Sequence, residues 1–332
     1  MKPPLSAWFL VGCTAVGKTA VSQWLAEQMG AAILSTDAML VYRGMDIGTA
    51  KPTPAERGGV HYLGIDLVEP DHPFSVGAWL DAIGRQFAQT GAGSEPAHAA
   101  GASSLPPDFI GPQAGPLIVS GGTGLYVKAL LAGLQPAPSD PVHRARWQAV
   151  FDAEGVAGLR RALLARDPDA LARLPDPDNP RRLVRALERS DAGAAGEASW
   201  KVQTPPMLVG LRLPRNQLHA RIAGRVARMF RDGLADEVRR LRERFPAWSA
   251  TAGQAIGYAE TCAWLDGRLS QEEAMERTVI RTRQLAKRQE TWYRHQLRVD
   301  WIDIDADTPP AAIAPRVLDA WRKHGPSPIR LS

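Results

Sequence analysis

Short, mostly apolar runs alternate along this chain with longer segments whose apolar residues recur every three to four positions. The runs are AWFLV (7–11), AAILS (31–35), LIVS (117–120) and MLVGLRL (207–213). Such runs are typical of strands buried on both faces, and the segments between them have helical periodicity. The alternation predicts an α/β core, in which helices flank a parallel sheet.

Two stretches depart from this alternation. Residues 140–188 have a helical pattern rich in Arg and Ala and no strand-like run, which predicts a small all-helical domain. Residues 90–116 are rich in Gly, Ala, Ser and Pro without any period, which predicts a flexible insertion. We therefore divide the chain into a core at 1–135, a helical insertion domain at 136–200, and the mostly helical, basic remainder of the core at 201–332.

Composition and charge narrow the class of protein. The 332 residues carry a formal net charge of +5, which permits a polyanionic partner without requiring one. The two cysteines, Cys13 and Cys262, form no metal-spaced cluster and no disulfide framework, as is typical of a reducing compartment. The N-terminal apolar run is too short for a signal peptide, and no run reaches membrane-spanning length. We expect a cytoplasmic protein with no membrane partner, and a monomer is the simplest expectation.

The segment GCTAVGKT fits the phosphate-binding pattern G-x-x-x-x-G-K-[ST] and lies between a predicted strand and a predicted helix. Backbone N–H groups of such a loop point at an anion, and the following helix adds the positive end of its dipole. The lysine supplies a point charge, and the final hydroxyl is a ligand for Mg²⁺. The sequence therefore predicts a P-loop NTPase-like fold with a phosphate loop made of Gly12, Cys13, Thr14, Ala15, Val16, Gly17, Lys18 and Thr19.

The partner that P-loop NTPases add to this loop is an apolar strand ending in Asp, which holds Mg²⁺. Here the LIVS run ends in Ser120, and Asp66 follows the weak run YLGI. The loop thus predicts phosphate binding, while nucleotide hydrolysis has little support. An NTPase or a small-molecule kinase stays open as an alternative.

Asp37 follows the second predicted strand in the segment LSTDAMLVYRGMDIGTAKP. Ligands of open α/β sheets bind at the carboxyl ends of the strands, which places Asp37 within reach of the bound phosphate. The competing interpretation is that Ser and Asp here cap a following helix. Four further residues of the segment would add a polar, basic rim to the same site: Tyr42, Arg43, Thr49 and Lys51.

Taken together, the blocks GCTAVGKT, STDAMLVYRGMDIGTAKP, SGGTGLYVKALLAGL and TRQLAKRQETW resemble bacterial tRNA dimethylallyltransferases, the tRNA isopentenyltransferase family. DPDNPRRLVRALE and AGQAIGYAE match between them, so the resemblance runs from about residue 8 to residue 301. It implies transfer of a dimethylallyl group from its diphosphate to N6 of the adenosine on the 3′ side of the tRNA anticodon, with release of pyrophosphate. The loop would then hold a leaving diphosphate, which accounts for the missing NTPase carboxylate.

The resemblance also implies catalytic roles. Asp37 would be the general base for the weakly nucleophilic adenine amine. Lys18, Thr19 with Mg²⁺, and Arg225 would stabilise the charge on the diphosphate, with Arg221 behind Arg225. Within the loop, Cys13 and Val16 replace the family's usual Pro and Ser, which a backbone cradle tolerates.

The implied tRNA contacts combine family blocks with basic stretches that suit phosphate binding. Arg181, Arg185 and Arg189 lie four residues apart on one helical face. Ala38 and Leu40 stand where the family has Ser and Gln, side chains that the resemblance implies would contact the adenosine or its surroundings. The predicted contacts are Asp37, Ala38, Met39, Leu40, Thr123, Arg144, Arg181, Arg182, Leu183, Val184, Arg185, Gln254, Ala255, Ile256, Gly257, Tyr258, Arg281, Arg283, Gln284, Lys287 and Arg288.

Two other classes remain besides the NTPase. A related transferase would prenylate a free adenine nucleotide such as AMP, but the long basic C-terminal half favours a macromolecular acceptor. A non-enzymatic RNA-binding protein would leave the loop and Asp37 unexplained. The partners expected from the sequence are therefore tRNA and dimethylallyl diphosphate, with Mg²⁺ as cofactor.

Overall fold

The computed structural model describes residues 5–90, 115–133, 140–174, 176–193 and 205–331. Residues 91–114, most of the predicted flexible insertion, lie outside the described residues. The chain divides into two compact units, Met1–Leu134 with Lys201–Ser332, and Gln135–Trp200. No helix within the described ranges is both long enough and apolar enough to cross a membrane.

The first unit is built on a seven-stranded sheet. Six strands run parallel in the order β3-β2-β4-β1-β5-β6, and β7 pairs antiparallel with the start of β1. The parallel sheet flanked by helices confirms the predicted fold class. The strands are β1 Ser6–Val11, β2 Ala32–Ser35, β3 Tyr62–Leu63, β4 Leu117–Gly121, β5 Met207–Arg212, β6 Arg298–Asp303 and β7 Ser327–Pro328.

Helices flank the sheet in the first unit and make up the second. In the first unit, α1, α8 and α12 cover the strand β1, with Leu25, Ile222 and Val317 in one buried cluster with Leu10. The helices are α1 Lys18–Met29, α2 Pro54–Arg57, α3 Val76–Thr90, α4 Gly124–Ala132, α5 Pro141–Leu164, α6 Ala170–Arg173, α7 Pro180–Asp191, α8 Arg215–Arg231, α9 Leu234–Arg244, α10 Tyr258–Leu265, α11 Gln271–Gln296 and α12 Pro310–His324, with a 3₁₀ turn at Ala252–Gln254.

The second unit consists of helices α5, α6 and α7. Its core is formed by Trp147, Leu159, Leu183 and Leu187, all buried at the contact between α5 and α7. Gly155 interrupts α5 with φ 64° and ψ −159°, a conformation that costs glycine little because it has no Cβ. Within the described residues of this unit there is no strand, as the sequence pattern predicts.

Candidate diphosphate site and basic surfaces

The phosphate loop joins β1 to α1 at the centre of the sheet, because β1 lies between β4 and β5. Its backbone curls through positive φ angles at Ala15 (64°) and Gly17 (105°). Such a turn directs successive N–H groups to one side, where an anion can accept them. At Gly17 a side chain would also approach the Arg221 guanidinium, since an added Cβ would lie 3.3 Å from its nitrogens.

Lys18 begins α1 and points back under the loop. Its side-chain nitrogen donates a hydrogen bond of 2.8 Å to the Cys13 carbonyl oxygen. Burial lowers the pKa of Lys18 to about 8, and the nearby Asp37 carboxylate opposes part of that shift. Burial also raises the pKa of the Cys13 thiol, which therefore packs as a neutral group. Lys18 is thus a buried cation that needs an anionic ligand.

Two arginines of α8 reach the same loop. The Arg225 guanidinium lies 3.5 Å from the Thr14 hydroxyl oxygen and donates to the Thr49 carbonyl at 3.0 Å. The Arg221 guanidinium donates to the Val16 carbonyl at 3.3 Å. Burial lowers the pKa of Arg225, and the field of Asp37 raises it again. Both arginines are therefore held against the loop.

Asp37 lies just past the end of β2, and its carboxylate acts electrostatically on both Lys18 and Arg225. One carboxylate oxygen accepts the Met39 N–H at 2.8 Å, and the Asp37 N–H donates to the Ser35 hydroxyl at 3.3 Å. No helix begins here, since the next helix is α2 at Pro54. The interpretation of Asp37 as a helix cap is therefore wrong: its side chain closes a local turn at the site.

The glycine segment after β4 is where α11 contacts the site. A side chain at Gly124 would collide with the Trp292 ring, and the Tyr293 hydroxyl donates to the Gly121 carbonyl at 3.4 Å. From the same turn, the Thr123 hydroxyl accepts the Ala38 N–H at 3.1 Å. The turn thus connects α11 to the segment that carries Asp37.

Lys51 was expected on a polar rim, and this expectation is wrong because its side chain is buried. Its ammonium binds the Asp46 and Asp66 carboxylates at 2.7 and 2.5 Å and donates to the Tyr42 carbonyl at 2.7 Å. Tyr42 is fully buried as well. Asp66 is committed to this lysine, with Arg57 at 3.6 Å. The alternative role of Asp66, as the Mg²⁺ ligand of an NTPase, is thereby disfavoured.

A second buried charge, Glu237 on α9, holds the same segment from the other side. Its carboxylate accepts the N–H groups of Asp46, Ile47 and Gly48 at 2.9–3.5 Å and the Tyr258 hydroxyl at 2.5 Å. The next residue is Thr49, whose carbonyl receives Arg225. Sequence reasoning missed Glu237, although an acid between Leu234 and Leu241 on a buried helical face is a recognisable signal.

The predicted tRNA contacts at residues 254–258 and on α11 differ in exposure. Gln254, Gln284, Lys287 and Arg288 are exposed, Ile256 and Arg283 are half-buried, and Gly257 is buried. Arg281 forms an ion pair with the buried Glu260 and donates to the Gln254 carbonyl at 2.9 Å. Ala255 and Tyr258 are 4% and 0% exposed, so the prediction that these side chains contact tRNA is corrected: they pack inside.

The helical unit has basic residues of its own. Arg144 binds the buried Glu188 at 2.8 and 3.3 Å, and Arg185 binds the same carboxylate at 3.0 Å. Arg181 and Arg182 are exposed. Leu183 and Val184 were predicted to contact tRNA, but their side chains lie in the core of the unit, and this prediction is corrected too.

The loop residues fit a magnesium ion that is held mainly by substrate phosphates and water, with one ligand from the protein. Thr19 is exposed in the first turn of α1, and its hydroxyl oxygen is a suitable ligand for Mg²⁺. Among the residues that the structure describes, no group of three acidic, His or Cys side chains could form a metal cage. Mg²⁺ commonly keeps its waters and binds substrate phosphates, so such a cage is not needed.

Fold and site define an α/β enzyme that binds a phosphorylated substrate at the carboxyl edge of a parallel sheet. A family model described as IPP transferase matches residues 40–102 and 110–296, and one described as isopentenyl transferase matches residues 5–66. The chain belongs to the IPP transferase family and is a prenyltransferase.

Relatives and solved structures agree with this membership. The tRNA dimethylallyltransferase of Corynebacterium jeikeium is 38% identical over 90% of this chain and 92% of its own length. That of Geobacillus thermodenitrificans is 37% identical over 94% of both chains. The full-length tRNA isopentenylpyrophosphate transferase of Bacillus halodurans superposes with a TM-score of 0.62 at 33% identity, covering 96% of this chain and 97% of its own.

Proposed function

We propose that this chain transfers the dimethylallyl group of dimethylallyl diphosphate to N6 of the adenosine on the 3′ side of the anticodon in tRNA. The observation that carries the proposal is the meeting of the phosphate loop, Lys18, Arg225 and the Asp37 carboxylate at one edge of the sheet. Family membership and the names of the relatives support the same reaction.

The reaction breaks the bond between the allylic carbon and the diphosphate oxygen and forms a bond from that carbon to N6. The electron pair of the broken bond stays on the diphosphate, which leaves as pyrophosphate. Loop N–H groups, Lys18 and Arg225 stabilise this charge as it grows. The proton displaced from N6 passes to the Asp37 carboxylate as the new bond forms.

The proposal also covers the cofactor, the acceptor and the oligomeric state. Thr19 would hold Mg²⁺, which when bound neutralises part of the diphosphate charge. The tRNA phosphates contact exposed side chains of α11, with Gln284, Lys287 and Arg288 foremost, and each compact unit presents basic residues of its own. The enzyme acts as a monomer.

Separate reactions with different acceptors test the proposal. The protein is given labelled dimethylallyl diphosphate with unmodified tRNA, with AMP, or with neither, and ATP turnover is measured in parallel. We expect the label on tRNA alone. Label on AMP would instead indicate a nucleotide prenyltransferase. ATP turnover without any prenyl transfer would indicate a phosphohydrolase or kinase and would contradict the proposal.

A further inference from the structure

Gln289 of α11 reaches the phosphate loop from a position 275 residues away in the sequence. Its side-chain oxygen accepts the Thr14 N–H at 2.8 Å. Since an N–H group can only donate, the atom that faces it must be the amide oxygen, and the NH₂ group points to the other side. There it meets Gly122, where an added Cβ would lie 2.6 Å from the amide nitrogen. The amide is therefore enclosed between the loop and the glycine turn.

The peptide that Gln289 holds lies at the centre of the candidate site. This peptide group joins Cys13 to Thr14. Its Cys13 carbonyl accepts the hydrogen bond from Lys18, and the Thr14 side chain lies beside Arg225. The residue after it, Ala15, has φ 64° and turns the loop inward. Rotation of the Thr14 peptide would thus disturb the lysine, the arginine and the N–H cradle together.

Gln289 also belongs to the buried face of α11. It lies three residues after Ala286 and four before Tyr293, which are 3% and 0% exposed. The exposed Lys287 and Arg288 precede it on the same helix. One hydrogen bond therefore connects the loop for the diphosphate with the helix whose exposed face carries the basic residues.

We infer that Gln289 is a positioning residue, whose amide oxygen fixes the Thr14 peptide in the orientation that diphosphate binding requires. This inference rests on the proposed function. The Thr14 N–H is committed to Gln289, so the N–H groups of the cradle come from the rest of the loop. Gln289 acts through the loop and does not itself touch the reacting carbon.

Gln289→Met tests the inference, because methionine keeps the length of the side chain and removes the acceptor. Loss of one such hydrogen bond weakens binding by about five- to tenfold. We expect that increase in the Kd for inorganic pyrophosphate and in the KM for dimethylallyl diphosphate. The KM for tRNA and the melting temperature stay near those of the unmodified protein. Gln296→Ala is the matched control, since Gln296 is exposed on the same helix and binds Lys128.

Gly122→Ala is the second, less specific variant, because its added Cβ would lie 2.6 Å from the Gln289 amide nitrogen and 3.2 Å from the Gly12 carbonyl oxygen of the loop. We expect the same selective loss of pyrophosphate affinity. Unchanged pyrophosphate affinity in both variants would overturn the inference. So would a general defect, in which kcat and thermal stability fall and both KM values rise together. Pyrophosphate binding is measured without tRNA, so the result is independent of prenyl transfer. Absence of transfer by the unmodified protein would instead count against the proposed function.

Discussion

The chemistry of single residues depends first on how Asp37 is oriented. Its carboxylate accepts the Met39 N–H, and the same turn is fixed by the bond from Ala38 to Thr123. The two bonds use backbone N–H groups, which explains why the turn forms even with Ala38 and Leu40 in place of the family's Ser and Gln. The substitutions therefore leave the proposed base in place and change only the side chains around it.

Asp37→Asn separates basicity from shape. Asparagine can still accept the Met39 N–H through its side-chain oxygen, but it cannot take the proton from N6. We expect kcat to fall by about 100- to 10,000-fold, the range for losing a general base, while the KM for tRNA changes less than about threefold. Steady-state prenyl transfer measures both. A kcat close to that of the unmodified protein would contradict the role of Asp37.

The lowered pKa of Lys18 predicts that pyrophosphate affinity depends on pH. Its pKa is lowered by burial to about 8, so in the free protein the ammonium is charged below that pH and loses its proton above it. We expect the affinity for pyrophosphate to weaken between about pH 8 and pH 9.5, by at most about tenfold per pH unit.

Lys18→Met provides the comparison, since that variant has no proton to lose at this position. Calorimetric titrations with pyrophosphate across the pH range test both proteins. Parallel pH profiles for the two would contradict the assignment of Lys18 as the titrating cation.

At the scale of elements, the apolar runs predict the central strands well. Each of the four runs matches a strand to within one residue at its ends, because a strand covered on both faces needs apolar side chains throughout. β6 was missed because it is an edge strand, RVDWID, in which exposed and half-buried residues outnumber buried ones. Its pairing is reinforced by Arg212, whose guanidinium binds the Asp303 carboxylate at 2.7 and 2.9 Å, a contact that no local pattern reveals.

The candidate site was predictable only in part, for a related reason. The loop and Asp37 follow strands, and strand ends can be located from the sequence. Glu237 and Gln289 act through contacts made across the fold, with partners up to 275 residues away. Lys51 binds closer partners, Asp46 and Asp66, but only because the chain folds back on itself there. Their sequence signal is a polar residue on a buried face, which indicates burial but not the partner.

Glu237 determines how the segment 46–48 is attached to α9 and α10. Glu237→Ala would leave three backbone N–H groups and the Tyr258 hydroxyl without their shared acceptor. We expect a loss of about 2–4 kcal/mol in the free energy of unfolding, measured by urea denaturation. Glu243→Ala, an exposed position on the same helix, is the control and should stay within about 0.5 kcal/mol. Equal stabilities of the two variants would contradict the network.

Across the whole molecule, the basic residues differ in role: some neutralise buried carboxylates, and others are exposed. Arg281 neutralises the buried Glu260, and Arg144 and Arg185 do the same for Glu188. Removing such an arginine strands a buried carboxylate, so Arg281→Ala would change folding stability as well as tRNA binding. Replacing an exposed cation such as Lys287 therefore tests the contact with tRNA phosphates with less effect on folding stability.

Lys287→Ala tests the contribution of α11 to tRNA binding. We expect weaker binding and a decrease of about 1 in the slope of log K against log salt concentration, since one phosphate contact is lost. Filter binding at several salt concentrations measures this slope. Lys323→Ala removes the same charge from the exposed end of α12 and should leave the slope unchanged. Identical slopes for the two variants would remove Lys287 from the tRNA interface.

The central claim is that the loop holds a leaving pyrophosphate while an allylic carbon is transferred to adenosine. The most direct test measures both products in one reaction with dimethylallyl diphosphate, Mg²⁺ and unmodified tRNA. We predict one pyrophosphate released for each N6-prenylated adenosine, found after nuclease digestion and mass spectrometry on the 3′ side of the anticodon. Pyrophosphate released without modified adenosine, or orthophosphate released from ATP in its place, would contradict the account.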